Sequence, residues 1–173
     1  MARLSKIIKE KDEQLEKLEY IASNYYWSWN REAKELFRSI DEEVWEESHH
    51  NPKLAINKLP LSRFQELAED KDFLKRMDEC YENFKSYVEA KNDPQGKKIA
   101  YFSMEYGLHN SLKIYSGGLG LLAGDYLKEA SDSNKSMIAV GLLYRYGYFT
   151  QIVSASGEQI VKDEPQDFSD LPT

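Results

Sequence analysis

The sequence predicts an α/β protein in two parts: a helical N-terminal segment over 1–96, then, over 97–173, the first part of a domain built from strands around a helix. Three observations carry this. Apolar residues in the first half recur at spacings of three and four. Two short apolar runs flank a helix-favouring stretch in the second half. Between them, Asn92-Asp93-Pro94-Gln95-Gly96 breaks the pattern with turn-forming residues.

Each element follows from its own residues. Leu4, Ile7, Ile8, Leu15, Leu18, Ile21, Ala22 and Tyr25 trace one buried face of a first helix. Asn30 caps a second helix that buries Ala33, Leu36, Phe37 and Ile40. Asn51-Pro52 reads as a cap followed by proline in the first turn. Ser62-Arg-Phe-Gln65 has the form of a capping box. A longer helix follows, with Phe73, Leu74, Met77, Tyr81, Phe84, Tyr87 and Val88 on one side. Ile99–Met104 and Met137–Tyr144 are expected as buried parallel strands. Tyr146–Val153 and Gln159–Val161 are expected to pair as a hairpin across Ser154–Glu158, and Asp163–Thr173 reads as a polar tail. Parallel strands need both faces covered, so two of them and a hairpin make a poor sheet alone. Either the helical half supplies the cover, or the domain is incomplete in these 173 residues.

Composition narrows the function. The chain is 41% hydrophobic, 31% charged and 13% aromatic, with a net charge of −7. The first 96 residues hold 16 Lys/Arg against 21 Asp/Glu and the remainder 7 against 9, so neither half is a basic surface for nucleic acid or anionic membrane. Cys80 is the single cysteine, which excludes an internal disulfide and a cysteine metal site and suits a reducing cytoplasm. No apolar stretch reads as a secretory signal or a membrane span.

The segment IYSGGLGLLAGDYLKEASD, Ile114–Asp132, places four glycines within eight positions ahead of a helix. Gly118-Leu-Gly120-Leu-Leu-Ala123 matches G-x-G-x-x-A, but a dinucleotide fingerprint needs the glycines directly after the strand and an acid about 20 residues on. Here the strand ends well before Gly117, and Arg145 stands after the second run. No Gly-Lys-Ser/Thr follows, which excludes a Walker loop. Glycine amides at a helix N-terminus can cradle an anion, and the same glycines can serve a tight loop with close backbone packing. The local pattern leaves both open. Glu105, at the expected strand end, is placed either to accept sugar hydroxyls or to brace the loop. His49-His50 and His109 lack metal-ligand spacing. The cluster Asn24-Tyr-Tyr-Trp-Ser-Trp-Asn30 could stack on sugar rings, although wedging a helix against its neighbour is the stronger reading. No Ser/His/Asp or Cys/His set assembles.

Taken in order, IAYFSMEYGLHNSLKIYSGGLGLLAGDYLKEASD and VGLLYRYGYFTQ closely resemble the N-terminal region of the α-glucan (glycogen, starch or maltodextrin) phosphorylases. NYYWSWNREAKELFRSIDEEVWEESHHNPKLAINKLP resembles the helical segment of the compact prokaryotic branch of that family. The resemblance implies a GT-B architecture of two Rossmann-like domains, the second part of this chain being the start of the N-terminal one. It implies reversible phosphorolysis of α-1,4-glucans to α-D-glucose 1-phosphate, with pyridoxal 5′-phosphate acting through its phosphate. The family's glycine loop maps onto Ser116-Gly-Gly-Leu-Gly120, so the amides of Gly117, Gly118 and Leu119 are expected to approach phosphate and a glucosyl unit, with Gly120 and Glu105 as further substrate- or phosphate-binding residues. Glu105 and Tyr106 match the family's acid–aromatic step at the cleft edge, and Tyr106 lies one position before the tyrosine that lines the cofactor pocket in longer relatives.

Two departures matter. The connection from strand to glycine loop is short, so the nucleotide regulation of animal enzymes does not transfer. Family enzymes are also several times longer, and the resemblance places the Schiff-base lysine, the other phosphate ligands and the glucose-site histidine beyond these residues. The chain alone is therefore expected to be inactive, with no complete catalytic set and no metal. The expected partners are α-1,4-glucan and phosphate, and a complementary C-terminal half or a homodimer. A second reading is a non-catalytic glucan-binding or interaction module. A nucleotide-sugar glycosyltransferase is disfavoured because Ile114-Tyr-Ser-Gly-Gly is not its Lys-x-Gly-Gly loop.

Overall fold

Side-chain caps set most of the helix boundaries in the first half of the chain. The computed structural model describes residues 13–92, 95–163, 165–169 and 171–172. It divides into two compact units, Met1–Ala90 with Asp170–Thr173, and Lys91–Ser169. The division falls six residues before the compositional break at 96, and Leu171 belongs to the first unit, where Lys53 Nζ donates to its carbonyl at 3.0 Å.

The first unit is helical. It comprises α1 (13–22), a 3₁₀ turn Tyr25–Ser28, α2 (Arg31–Ile40), α3 (Glu42–Glu47), α4 (Pro52–Lys58), α5 (Leu61–Leu67) and α6 (Lys71–Glu89). Asn30 Oδ1 accepts from the Ala33 amide at 2.9 Å, Asp41 caps α3 through the Val44 amide at 3.0 Å, and Asn51 caps α4 through Lys53 at 3.1 Å. Each such cap contributes about 1 kcal/mol. The expected capping box at Ser62 does not form. Pro60, with φ −69° and ψ 148°, starts α5 at Leu61, so Ser62 lies inside the first turn and α5 has no side-chain cap.

The core of this unit is aromatic. Trp27, Phe37, Trp45, Phe73 and Phe84 are fully buried, joined by Leu18, Ile21, Leu36 and Met77. Trp27 meets Trp45 edge-on with centroids 6.2 Å apart. The wedge reading of the aromatic cluster therefore holds for Tyr26 and Trp27. Leu4, Ile7 and Ile8 lie outside the described residues.

The second unit holds β1 (Gln95–Phe102), α7 (Gly118–Asp132), β2 (Lys135–Val140), β3 (Thr150–Val153) and β4 (Gln159–Lys162). β1 and β2 pair in parallel, with Ile99 opposite Met137 and Phe102 opposite Val140, and α7 is the crossover between them. β3 and β4 form the expected antiparallel hairpin, shorter than the apolar run because the Tyr146 end makes only an isolated bridge to Pro165. Both strands of the parallel pair end earlier than expected, at Phe102 and Val140.

Each sheet has two strands among the described residues. Tyr101 meets Tyr126 of α7 edge-on at 5.7 Å, so α7 covers the sheet face that carries Tyr101. Alternation puts Phe102, Ile138 and Val140 on the opposite face, and these are 71%, 70% and 43% exposed. Apart from Tyr20 and Leu61, every large hydrophobic side chain that is exposed among the described residues belongs to this unit. An apolar surface of this extent marks an interface rather than a solvent face.

Candidate functional site

The site forms where β1 hands over to α7. Beyond Phe102, the Ser103 amide donates to Val140 O at 3.2 Å, which extends the ladder by one residue. The Ser103 hydroxyl then donates to Glu105 O at 2.8 Å and turns the chain. Tyr106 is buried, and its hydroxyl donates to Tyr101 O at 2.6 Å, pinning the turn to the strand.

This turn aims Glu105 at the start of α7. Its carboxylate accepts the Ser116 hydroxyl at 2.9 Å and the Ser116 amide at 3.2 Å. Gly117, the residue before α7, has no side chain to cap the helix, and the Glu105 carboxylate takes that place. The Ser116 hydroxyl, then the Ser116 amide, with smaller contributions from the Gly117 and Gly120 amides, hold the Glu105 carboxyl below the usual range. A depressed carboxyl stabilises the fold above its unfolded pKa, and that contribution is lost as pH falls through the folded value. The Ser116 and Gly120 amide resonances are therefore expected to titrate below the ordinary glutamate range, and to stay flat over that window in Glu105→Gln. NMR from about pH 6 to about pH 3 reads this directly. A midpoint at or above the ordinary value contradicts the capping role.

The glycines of the loop separate into two pairs. A Cβ on Gly124 would stand 2.2 Å from Gly107 O, and one on Gly120 would stand 2.5 Å from Tyr115 Cβ and 3.0 Å from Glu105 Oε2. The Gly107 amide donates to Gly120 O at 2.7 Å, so the connector lies directly across the first turns of α7. These two glycines permit close backbone approach. Gly117 and Gly118 differ: a Cβ at either meets nothing within 4 Å, and Gly117 is extended, with φ −151°. The Gly118 and Leu119 amides open α7 and have no carbonyl one turn back to receive them. Leu119 is 57% exposed beside them.

Two other residues complete the frame. Gln166 accepts from the Lys113 amide at 2.9 Å and donates to Lys113 O at 3.1 Å and Tyr144 O at 2.6 Å, fastening the connector at its far side. The Ser111 amide donates to His109 Nδ1 at 3.1 Å, a bond within the connector's own turn. Sequence reasoning singled out Glu105, Tyr106 and Gly117–Gly120, and the structure brings Glu105 and the loop together. It missed the work of Ser116 and Gln166, whose partners lie 11 and 53 residues away. Among the described residues, no group of three or more His, Cys, Asp or Glu side chains is arranged to hold a metal ion. No helix among them is long and apolar enough to cross a membrane.

Comparison with known proteins places this geometry in context. Residues 12–112 match the family described as Protein of unknown function (DUF3417). The chain is 43% identical over 155 residues to a maltodextrin phosphorylase of Thermococcus litoralis, covering 86% of this chain and 18% of that protein. It is 41% identical over 161 residues to a glycogen phosphorylase of Mycobacterium tuberculosis, covering 85% and 18%. A glycogen phosphorylase of Aquifex aeolicus is 41% identical over 153 residues, covering 87% and 22%. The chain thus spans about a fifth of the length of the curated relatives it matches, at their N-terminal end. No solved structure gives a significant match.

Proposed function

The chain belongs to the DUF3417 family and is similar to the N-terminal part of maltodextrin and glycogen phosphorylases, and from that premise we propose that it is the N-terminal portion of an α-glucan phosphorylase. In this reading it supplies one wall of a site for the reversible phosphorolysis of α-1,4-glucans to α-D-glucose 1-phosphate. One observation carries the assignment of the wall. Gly117 and Gly118 have neither a crowding neighbour nor a positive φ in their own chain to require glycine, while Gly120 and Gly124 are crowded by it. Room left bare at the opening of a helix suits a ligand that approaches the backbone closely.

The roles then follow from chemistry. The Gly118 and Leu119 amides donate to a phosphate or glucosyl oxygen, and Gly117 keeps the approach clear. Glu105 does not contact the ligand as an acid. It accepts from the Ser116 hydroxyl and amide and so fixes the direction of the loop. Its negative charge also means that a bound phosphate needs cationic partners from the remaining length of the relatives.

The bare face at Gly117 and Gly118 fits the phosphate end of pyridoxal 5′-phosphate, which when bound supplies a phosphate group for proton exchange. The covalent lysine is assigned to the span that these residues do not cover. The 173 residues alone then turn over no glucan, and that span adds strands to β1 and β2 to make a Rossmann-like sheet and covers their exposed face. The protein functions in the cytoplasm. The alternative, a non-catalytic glucan-binding module, requires glucan binding without any contribution to turnover.

A chimaera separates the two. These residues replace the matching span of the Thermococcus litoralis relative, and release of glucose 1-phosphate from maltodextrin and phosphate is measured. Turnover is expected. A soluble, folded chimaera without turnover contradicts the proposal.

A further inference from the structure

The connector that carries the chain from β1 to the glycine loop is held at two places. Glu105 holds its end through Ser116. Three residues earlier, Lys113 is held by a side chain from 53 residues away. Gln166 Oε1 accepts from the Lys113 amide at 2.9 Å, and Gln166 Nε2 donates to Lys113 O at 3.1 Å and to Tyr144 O at 2.6 Å. One side chain thus takes up both backbone polar groups of Lys113, as a neighbouring strand would. The chemistry calls for a primary amide, whose oxygen meets one N–H while its two N–H groups meet two carbonyls. A glutamate would turn an acceptor toward both carbonyls, and an asparagine is one methylene shorter.

The clamp is itself anchored. The Gln166 amide donates to Arg145 O at 2.7 Å, and the preceding Pro165 bridges antiparallel to Tyr146. Lys113 has little room to leave it. A Cβ on Gly147 would stand 2.6 Å from Lys113 Cβ and 2.7 Å from Lys113 O, so the backbone at Gly147 also lies against Lys113. Leu112 and Ile114, its two chain neighbours, are buried.

The clamp lies close to the loop along the chain. The three residues from Lys113 to Ser116 span at most about 11 Å. Between them Tyr115 lies against α7, where a Cβ on Gly120 would stand 2.5 Å from Tyr115 Cβ. A shift at Lys113 therefore reaches Ser116 and the first turn of α7 with few bonds to absorb it.

We infer that Gln166 is a positioning residue for the glycine loop: through Lys113 it fixes where Ser116 meets Glu105 and where α7 begins. Both N–H groups of its amide are engaged by backbone carbonyls, so it acts through the loop and not on a ligand. This rests on the phosphorylase reading and deepens it, because there the amides that open α7 meet phosphate or a glucosyl unit. A misplacement of about 1 Å at such a contact costs up to about a hundredfold in rate.

The test is Gln166→Met, which keeps the length of the side chain and removes all three bonds. In the 173-residue chain, the Ser116 amide resonance follows the Glu105 carboxyl as pH falls. With the loop released, the carboxylate loses hydrogen bonds, and the midpoint is expected to rise toward the ordinary glutamate value. In the chimaera, kcat/KM for maltodextrin phosphorolysis is expected to fall at least about tenfold. A clamp with a merely structural role would lower the melting temperature and leave both readouts alone, and that result overturns the inference. Glu105→Gln is the second arm, with the Gln166 clamp intact. Release of the loop's other end is expected to shift the Gln166 side-chain amide resonances, and unmoved resonances overturn the inference as well. An inactive parent chimaera removes the phosphorylase reading, and the Ser116 midpoint alone then decides the positioning role.

Discussion

Trp27→Ala is expected to destabilise the helical unit severely. The side chain is 0% exposed and packs edge-on against Trp45 in the middle of the aromatic core. Truncating a buried tryptophan removes its transfer free energy and leaves a cavity that the surrounding helices fill only in part, a loss of about 3–5 kcal/mol. Domains hold about 5–15 kcal/mol in total, so a large part of the margin is gone. Urea denaturation followed by circular dichroism should show the midpoint fall steeply. A loss below about 1 kcal/mol would show that the core can close over the gap. The result also bears on sugar recognition. Trp27 has no surface to offer a ring, and any glucan effect of this variant reports unfolding.

The second large effect is expected at Gly124→Ala. Alanine ordinarily gains about 1 kcal/mol over glycine within a helix. Here its Cβ would lie 2.2 Å from Gly107 O and 2.6 Å from Gly107 C, and backbone atoms cannot swing aside as a side-chain tip can. Either α7 or the connector must move, and the Gly107–Gly120 hydrogen bond at 2.7 Å opens. Overpacking of this kind costs about 1–3 kcal/mol or more, which outweighs the propensity gain. Thermal unfolding should shift downward, and the Gly107 amide should lose its protection from hydrogen exchange. A stabilised variant would show that the approach of Gly107 to α7 is not rigid.

Much of the fold was legible because it depends on local chemistry. Asn30 and Asn51 act as caps where their side chains reach amides two or three residues on. The switch from helical to strand period gave β1, α7 and β2 in order. Boundaries fared less well where a neighbour decides them: Pro60 moved the start of α5, and the β1–β2 pairing stops at Phe102 and Val140 although the apolar runs continue.

At the site, the glycine run was visible but its division was not. Gly120 and Gly124 are glycine because Tyr115, Glu105 and Gly107 crowd them, and Gly117 and Gly118 are bare because nothing in the chain does. Spacing alone cannot distinguish the two cases. Ser116 reads as one more polar loop residue until Glu105 is folded against it, and Gln166 sits in a tail that reads as turn. The exposed Phe102, Ile138 and Val140 give physical form to the sheet that looked too small to stand alone.

The account turns on Gly118, and Gly118→Val in the active chimaera tests it most directly. A Cβ at Gly118, the first position of α7, meets nothing within 4 Å, and the helix propensity of valine exceeds that of glycine, so the melting temperature should hold or rise slightly. If the bare backbone faces the reacting phosphate and glucosyl unit, the added side chain displaces them, and kcat/KM for maltodextrin phosphorolysis should fall at least about a hundredfold. Undiminished turnover in a folded Gly118→Val chimaera would contradict the claim that this loop is a wall of the site.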